Sequence, residues 1–337
     1  MSVLNDLDLK AIKMAKAISA DAVEKAGSGH PGSAISIAPA AYLLYQKHLR
    51  VNPKNPNWEG RDRFILSMGH SSLTQYLQLY LGGFGLELDD IKALRTMGSL
   101  TPGHPEYKHT AGVEMTTGPL GQGIASAVGF AYGQRFQRGL LDPGSPQGES
   151  PFDYNIYVLT GDGCLEEGVS QEAASLAGLQ KLGNLIVLWD SNHITIEDDT
   201  KIAFTENVLS RYEANGWHTQ KVDWTKGGVY KEDTDALNEA IEKAKKVTDK
   251  PSIISLRTLI AWPSPTKTNS GSSHGAALGL DEIRGLKTNL GLDPDKDFAV
   301  DEAALTQSRK LIAKGESLEE EWNKKLDSWK SANSDKV

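Results

Sequence analysis

Two apolar runs, each followed at once by polar residues, constrain the fold of this 337-residue chain most strongly. Ile156 to Leu159 leads into a Gly-Asp-Gly triplet at 161–163, and Leu185 to Trp189 leads into Asn192. The segment between the runs, Glu172 to Ala177, favours a helix, so the pattern predicts a strand, a helix and a second strand. Such crossovers join parallel strands and are right-handed, so we expect Asp162 and Asn192 to meet at the carboxyl edge of one sheet.

This predicted edge carries the ligands that a metal-bound diphosphate requires. A carboxylate, an amide oxygen and a main-chain carbonyl are hard oxygen donors, which Mg²⁺ or Ca²⁺ prefers. Gly161 and Gly163 lack side chains and therefore let a diphosphate approach the backbone closely. The sequence therefore predicts that Asp162 and Asn192 share one divalent cation beside a bound diphosphate.

Several motifs of this chain resemble those of transketolases and follow one another in the same order as in that family. The Gly-Asp-Gly triplet and the later Asn192 resemble the thiamine diphosphate motif, which here extends to Gly168. The other similar segments are Gly29-His30-Pro31-Gly32, Ser67-Met68-Gly69-His70, Thr101-Pro102-Gly103-His104-Pro105-Glu106, Thr116-Thr117-Gly118-Pro119-Leu120-Gly121-Gln122-Gly123 and Ser273-His274-Gly275-Ala276. The resemblance covers about residues 10 to 290. It implies an α/β thiamine diphosphate-binding fold, with helices on both faces of a largely parallel sheet.

The same resemblance implies the site residues. Asp162, Asn192 and the carbonyl of Ile194 would hold the metal. The residues expected to contact the cofactor are His70, Gly118, Pro119, Leu120, Asp162, Gly163, Glu167, Asn192 and His274. His30 and His274 would handle the C3 hydroxyl of a sugar, and His104 would contact its C1 end. Glu167 has two interpretations: an acid in the first turn of a helix, or a group that couples paired cofactor sites across a dimer interface.

Four of the eight histidines stand beside glycine in predicted loops, namely His30, His70, His104 and His274. In such loops the backbone can approach a ligand and the imidazole can point toward it. Histidine has an unperturbed pKa near 6.5, so it can take and return a proton at neutral pH. We therefore expect these four to belong to the site, whereas the other histidines keep a structural interpretation.

Composition excludes several classes of partner. The formal net charge is −8 and no block of basic residues occurs, which argues against nucleic-acid binding. No apolar run approaches the length of about twenty residues that a membrane-spanning helix needs. The single cysteine, Cys164, has no partner for an internal disulfide, and no secretory signal pattern precedes Asp21. We therefore expect a cytoplasmic protein.

The organisation predicted for the chain is a cofactor-binding domain over residues 1–280 and a helical linker or tail over 281–337. The middle, pyrimidine-binding domain and the C-terminal domain of transketolases are expected to be absent. The resemblance then implies reversible transfer of a two-carbon ketol unit between sugar phosphates, with a partner chain supplying the missing half. A homodimer or heterotetramer is expected, with the small-residue helix Gly121 to Gly133 as a candidate contact surface.

Two interpretations of the missing half remain open. The chain is either the N-terminal subunit of a split transketolase or a truncated, non-catalytic relative that acts through its interfaces. Among related enzymes, dihydroxyacetone synthase and 1-deoxyxylulose-5-phosphate synthase are alternatives. The segments Thr101 to Glu106 and Ser273 to Ala276 fit transketolase better than the latter.

Overall fold

The computed structural model describes residues 2–196 and 198–337, and its centre is a parallel sheet. The strands are β1 (Arg63–Leu66), β2 (Ile156–Gly161), β3 (Leu185–Ser191), β4 (Ile194–Thr195), β5 (Asp198–Asp199), β6 (His218–Asp223) and β7 (Ser252–Arg257). Five of them form the sheet in the order β1-β2-β3-β7-β6, all parallel, while β4 and β5 form a separate antiparallel pair. The predicted parallel α/β fold is thus confirmed.

Helices enclose this sheet. They are α1 (Asp6–Ala26), α2 (Pro31–Ser36), α3 (Ala38–Leu43), α4 (Ser72–Gly82), α5 (Leu88–Lys92), α6 (Gln122–Leu141), α7 (Asp162–Glu166), α8 (Gly168–Leu179), α9 (Val208–Ala214), α10 (Thr234–Lys246), α11 (Leu280–Leu290), α12 (Glu302–Ser308) and α13 (Leu311–Ala332). A π-helical turn spans Leu44–His48, and short 3₁₀ turns span Gly69–Ser71, Thr200–Ile202, Lys226–Gly228 and Gly271–Ser273. No helix in the described part of the chain is long and apolar enough to cross a membrane.

Strand β2 shows why helices cover both faces. Tyr157 and Leu159 point into one apolar core, which α1, α3, α4 and α10 share, and Ile156 and Val158 point into a second core with α6, α8 and α9. Because successive side chains of a strand face opposite sides, an uninterrupted apolar run predicts burial on both. The edge strand β6, His218–Asp223, is mostly polar and half-buried, which is why its pattern carries little strand signal.

Helix ends place the loops that carry the first site motif. Asn5 caps α1 by accepting hydrogen bonds from the backbone N–H groups of Leu7 and Asp8 at 2.9 and 3.1 Å, and α1 ends at Gly27 with φ +69°. The chain then turns into α2, with His30 as its N-cap residue. A Cβ on Gly32 would lie 2.4 Å from the carbonyl oxygen of Ser273. Glycine at this position therefore lets the loops of His30 and His274 approach each other.

The segment after residue 280 packs against the rest of the chain at several points. Lys287 of α11 forms a buried ion pair with Asp21 of α1, with Nζ and Oδ1 2.8 Å apart. In α13, Trp322 Nε1 donates a hydrogen bond to the carbonyl of Pro151 at 2.6 Å, and the Trp329 ring lies against Phe152. The tryptophans of this segment thus pack on the body of the protein. The domain boundary at residue 280 stays a prediction.

Candidate active site

The loops that follow the strands enclose a cavity of about 160 Å³ at the carboxyl end of the sheet, called the carboxyl-end cavity below. It is lined by His30, Ser33, Met68, His70, His104, Gly118, Leu120, Gly161, Asp162, Gly163, Cys164, Asn192, Ile194, Thr195, Ile196 and His274. Four chain segments far apart in sequence each contribute a histidine to it. The structure therefore brings the predicted metal corner and the predicted histidines into one cavity.

Asp162 anchors the metal corner of this cavity. Asp162 follows β2 directly, and its carboxylate accepts hydrogen bonds from Trp189 Nε1 at 2.8 Å and from the backbone N–H of His193 at 3.0 Å. These two bonds tie the end of β2 to the end of β3. They fix the Asp162 carboxylate beside the turn that carries Asn192 and Ile194.

The turn after β3 has an unusual backbone conformation. His193 has φ +66°, in the left-handed region that residues other than glycine seldom adopt. The Asn192 side chain accepts a hydrogen bond from the N–H of Ile194 at 2.8 Å and donates one to Asp190 at 2.8 Å. Thr258 in turn donates to Asp190 at 2.5 Å. The amide of Asn192 is thus held with its oxygen as the acceptor, in the orientation that a metal ligand needs.

Burial changes the acidity of both carboxyl groups at this corner. Burial and the nearby Asp190 carboxylate raise the pKa of Asp162 to about 8, against hydrogen bonds from Trp189 and His193 that lower it. Burial likewise raises the pKa of Asp190 to about 6. A divalent cation beside Asp162 would favour its ionised form. No cluster of three His, Cys, Asp or Glu side chains suited to a metal occurs within 2–196 and 198–337, so a cation beside Asp162 would also need amide and carbonyl oxygens.

Three of the histidine rings lie in mutual contact. The ring centroids of His30 and His70 are 4.9 Å apart, those of His70 and His274 are 5.0 Å apart, and those of His30 and His274 are 5.4 Å apart. His104 lies beside Gly118, where a Cβ would meet its ring at 3.4 Å. These contacts gather all four predicted imidazoles around one space.

Burial favours the neutral form of these four histidines by lowering their pKa values. Burial, then His274, Arg95 and His104, lower the pKa of His30 to about 4. Burial also lowers the pKa of His70 well below its ordinary value, and those of His104 and His274 to a lesser degree. Neutral imidazoles can each donate one hydrogen bond and accept another. The Nδ1 atom of His274 is buried and has no hydrogen-bond partner among the described residues, which leaves it free for a ligand.

Arg95 is a residue near the site that sequence reasoning missed. Its Nη2 lies 3.4 Å from His30 Nδ1, and because arginine only donates, Nδ1 must be the acceptor. The proton of the neutral His30 ring is then on Nε2. A single Arg between two turns gives no local signal in the sequence, since its position depends on the left-handed backbone at residue 95, with φ +60°, and on the bond from its N–H to the Thr101 carbonyl.

Two predicted cofactor residues lie outside the cavity lining. Pro119 is exposed between Gly118 and Leu120, which do line the cavity. Glu167 is also exposed, and its Cβ would stand 2.7 Å from a Cβ placed on Gly121, at the start of α6. Their cofactor roles stay predictions. Ser33, Met68, Thr195 and Ile196 line the cavity without having been predicted.

Glycines keep the cavity wall thin enough for a diphosphate. A Cβ on Gly69 would stand 2.9 Å from the N of Gly118, and one on Gly163 would stand 3.0 Å from the Leu120 side chain. Larger residues at either position would push the loops apart or fill the space. Together with the oxygen donors of Asp162 and Asn192, this wall fits a diphosphate held through a hard cation.

The family described as "Transketolase, thiamine diphosphate binding domain" matches residues 7–337. The chain belongs to this family. The transketolase of Mycobacterium leprae (strain TN) is 56% identical over 324 residues, which are 96% of this chain and 46% of that protein. The transketolase of Nostoc sp. (strain PCC 7120) is 47% identical over 97% of this chain and 47% of its own length.

Solved structures of transketolases give the same result. A transketolase of Pichia stipitis in complex with sedoheptulose-7-phosphate superposes with a TM-score of 0.91 at 42% identity, covering 98% of this chain and 48% of that one. The chain therefore has the fold of the transketolase thiamine diphosphate-binding domain. It spans about half the length of the curated relatives it matches. The predicted family and the predicted N-terminal position within it are confirmed.

Proposed function

We propose that this chain is the cofactor-binding half of a transketolase, which transfers a two-carbon ketol unit reversibly from a ketose phosphate to an aldose phosphate. The observation that supports this most is the carboxyl-end cavity, where Asp162, Asn192 and Ile194 stand beside four neutral histidines. Family membership supplies thiamine diphosphate as the cofactor class. The metal, the substrates and the assembled enzyme are parts of the proposal.

Mg²⁺ is the cation that we assign to the metal corner. Asp162, the amide oxygen of Asn192 and the carbonyl of Ile194 would hold it, with Ca²⁺ as an alternative of the same ligand class. His70, His274, Gly118 and Leu120 would then surround the diphosphate. When bound, thiamine diphosphate supplies an electron sink for the two-carbon fragment.

The histidines divide between donor and acceptor roles. His30 accepts from Arg95 at Nδ1, so its Nε2–H can donate to a substrate oxygen. His274 keeps an unpartnered buried Nδ1, which supports assigning it as the acceptor for the proton of the C3 hydroxyl. His104 lines the cavity beside Gly118 and would hold the C1 end. This assignment refines the paired role expected for His30 and His274.

A partner chain completes the proposed enzyme. The chain covers 46% of the Mycobacterium leprae transketolase, and the ring-activating and pyrimidine-binding parts expected from the resemblance would come from a separate C-terminal half. We also propose a cytoplasmic location, which a single, fully buried cysteine fits. On this proposal the isolated chain binds cofactor but does not turn over substrate.

Turnover of xylulose 5-phosphate with ribose 5-phosphate, in the presence of thiamine diphosphate and Mg²⁺, tests this proposal. The chain is assayed alone and with a separately expressed transketolase C-terminal half. We expect activity only when both are present. Full activity of the chain alone would contradict the need for a partner. A confirmed complex with no activity would contradict the enzyme assignment and favour a non-catalytic relative.

An exposed apolar stripe supports self-association as a further part of the proposal. Phe136 and Leu140 of α6 are 67% and 64% exposed, and Leu179 of the adjacent helix α8 is 75% exposed. A Cβ placed on Gly129 or Gly133 of α6 would meet no atom within 4 Å, so another backbone could approach α6 there. We therefore place the contact between two copies of the chain on α6 and α8.

Sedimentation velocity at micromolar concentrations tests the stripe. We expect a dimer that the double substitution Phe136→Asp and Leu179→Asp converts to a monomer, because each carboxylate would be buried without a partner. Val229→Asp is a matched control, since Val229 is 73% exposed and belongs to neither helix. A monomeric wild-type chain, or a dimer that survives the double substitution, would remove the stripe as the contact.

A further inference from the structure

A second and larger cavity, of about 790 Å³, lies at the opposite end of the sheet. It is called the amino-end cavity below. Asn155 and Asn184, which line it, immediately precede β2 and β3, whereas Asp162 and Asn192 follow the same strands. A six-residue strand spans about 20 Å, so the two cavities are separate sites on one sheet. None of the motifs that resemble transketolase contributes a residue to the amino-end cavity.

The base of the amino-end cavity holds buried polar groups that lack partners. Tyr157 is fully buried, and its hydroxyl lies near Asn155 but has no partner in hydrogen-bond geometry within the described ranges. The side chain of His48 is 1% exposed, and neither of its ring nitrogens has a hydrogen bond to a described residue. Its Nδ1 lies 3.2 Å from Glu242 Oε1, but the two groups are not in hydrogen-bond geometry. Buried polar atoms without partners are costly, so these groups keep hydrogen-bonding capacity that the described residues do not use.

Two of the three acids that line this cavity, Asp62 and Asp153, are satisfied by the protein, whereas the exposed Asp249 forms no ion pair with a described residue. Asp62 accepts hydrogen bonds from the backbone N–H groups of Arg50 and Asn155 at 2.9 and 2.8 Å. Asp153 accepts from Arg138 Nε at 2.6 Å and from the N–H of Gly148 at 2.7 Å. The Asp62 and Asp153 carboxylates therefore repel an incoming anion less than free acids would, and Asp249 is the one lining acid without such partners in the described chain.

Two cations at the mouth of the amino-end cavity lack acidic partners among the described residues. Arg135 and Lys181 are exposed there, and neither forms an ion pair with any acid of the described chain. Arg135 uses one N–H on the carbonyl of Gln180, and its other donors remain available. Inside them, Arg50 keeps a buried Nε without a partner among the described residues. Exposed cations thus lie at the entrance, and Arg50 lies with the Tyr157 and His48 groups further inside.

We propose that the amino-end cavity binds a small organic anion, with its phosphate or carboxylate group between Arg135 and Lys181 and its hydroxyl or carbonyl groups against Tyr157 and His48. Guanidinium and ammonium groups together suit such oxyanions. The volume of about 790 Å³ accommodates a molecule of metabolite size. This site is independent of the cofactor and the sugar substrate proposed above.

Calorimetric titration of the full chain with three probes, without cofactor or Mg²⁺, tests the site. Glycerol 3-phosphate carries a phosphate, citrate carries carboxylates, and glycerol carries only hydroxyl groups. We expect one or both anions to bind and glycerol not to bind. Binding of only one anion would support the site and assign the group it recognises. Binding of neither anion at millimolar concentration, or equal binding of glycerol, would overturn the proposal.

Substitutions locate the bound anion. The double substitution Arg135→Gln and Lys181→Gln should weaken binding about tenfold or more, and Tyr157→Phe, which keeps the ring, should weaken it several-fold. Lys226→Gln with Lys231→Gln removes the same charge from exposed positions that do not line the cavity and should leave binding unchanged. His274→Asn, in the carboxyl-end cavity, should also leave it unchanged. Loss of binding in either control, or retention in both cavity variants, would place the anion elsewhere.

Discussion

The two ends of the central sheet differ in how they are built. The carboxyl-end cavity has about 160 Å³ and is enclosed by loops whose glycines and histidines lie next to each other in sequence. The amino-end cavity has about 790 Å³ and is assembled from strand starts, helix ends and single turns. A site made of short loop motifs is visible in a sequence, whereas a site made of single residues from many elements is visible only in a structure.

The largest expected effect concerns the metal corner. Asp162→Ala should weaken Mg²⁺-dependent binding of thiamine diphosphate about 100-fold or more, because it removes a charged ligand and leaves the N–H groups of Trp189 and His193 without their acceptor. Calorimetric titration with and without Mg²⁺ measures this.

The matched control for Asp162→Ala is Asp281→Ala, at an exposed position in the first turn of α11. Its affinity should equal that of the wild-type chain. Unchanged affinity in Asp162→Ala would remove the metal assignment. It would also break the contrast between the two ends, because the carboxyl end would then lack the chemistry that its motifs predict.

The fold could be predicted from the sequence as far as its strands carry an apolar pattern. β2 and β3 are apolar on both faces, and the predicted crossover between them is confirmed by their parallel register, in which Gly161 pairs with Asp190. The edge strand β6 could not be predicted in this way, because only one of its residues is fully buried. The order of the strands also depends on packing between distant helices, which no local pattern specifies.

The candidate site shows the same limit. His30, His70, His104 and His274 could be predicted because each stands beside glycine in a loop, and the structure gathers them. Arg95 could not, because its place beside His30 depends on one residue with a left-handed backbone. The support of Asn192 by Asp190 and Thr258 joins β3 to the loop after β7, and pairing across strands is not encoded in neighbouring residues.

A second prediction uses pH to probe the amino end. Burial, with Lys245 and Lys314 nearby and Glu242 opposing them, lowers the pKa of His48 to about 4. His48 takes up a proton near pH 6.5 in the unfolded chain but only near pH 4 in the folded chain. Its contribution to the free energy of unfolding is therefore fully present above pH 6.5 and is lost as pH falls toward 4. His48→Gln should therefore flatten the fall in unfolding free energy over this range by roughly 2 kcal/mol.

Urea unfolding at several pH values measures this change. His218→Gln is the control, because His218 is only half-buried and its pKa is lowered less. An identical pH profile for His48→Gln and the wild-type chain would mean that the base of the amino-end cavity admits enough water to protonate His48. The difference in burial between the two ends would then be smaller than the structure indicates.

A third prediction sharpens the role of Arg95 at the carboxyl end. In the complex with a C-terminal half, Arg95→Gln should lower turnover about tenfold, because the charge-assisted bond that fixes the His30 ring is weakened. Removing this positive charge also raises the pKa of His30, so the acid limb of the pH–rate profile should move to higher pH. Arg284→Gln, exposed on α11, should change neither quantity. Reduced turnover with an unmoved acid limb would assign Arg95 a purely structural role.

The smallest expected effect compares two buried tyrosines. Tyr76 donates its hydroxyl hydrogen bond to the carbonyl of Pro102 at 2.9 Å, whereas the Tyr157 hydroxyl has no such partner in the described residues. Tyr76→Phe should therefore cost about 1 kcal/mol of unfolding free energy, while Tyr157→Phe should cost less than about 0.5 kcal/mol or stabilise the chain. Urea unfolding without added anions measures both. An equal loss in the two variants would mean that ordered water already satisfies Tyr157, and that the base of the amino-end cavity has no polar group left for a ligand to pair.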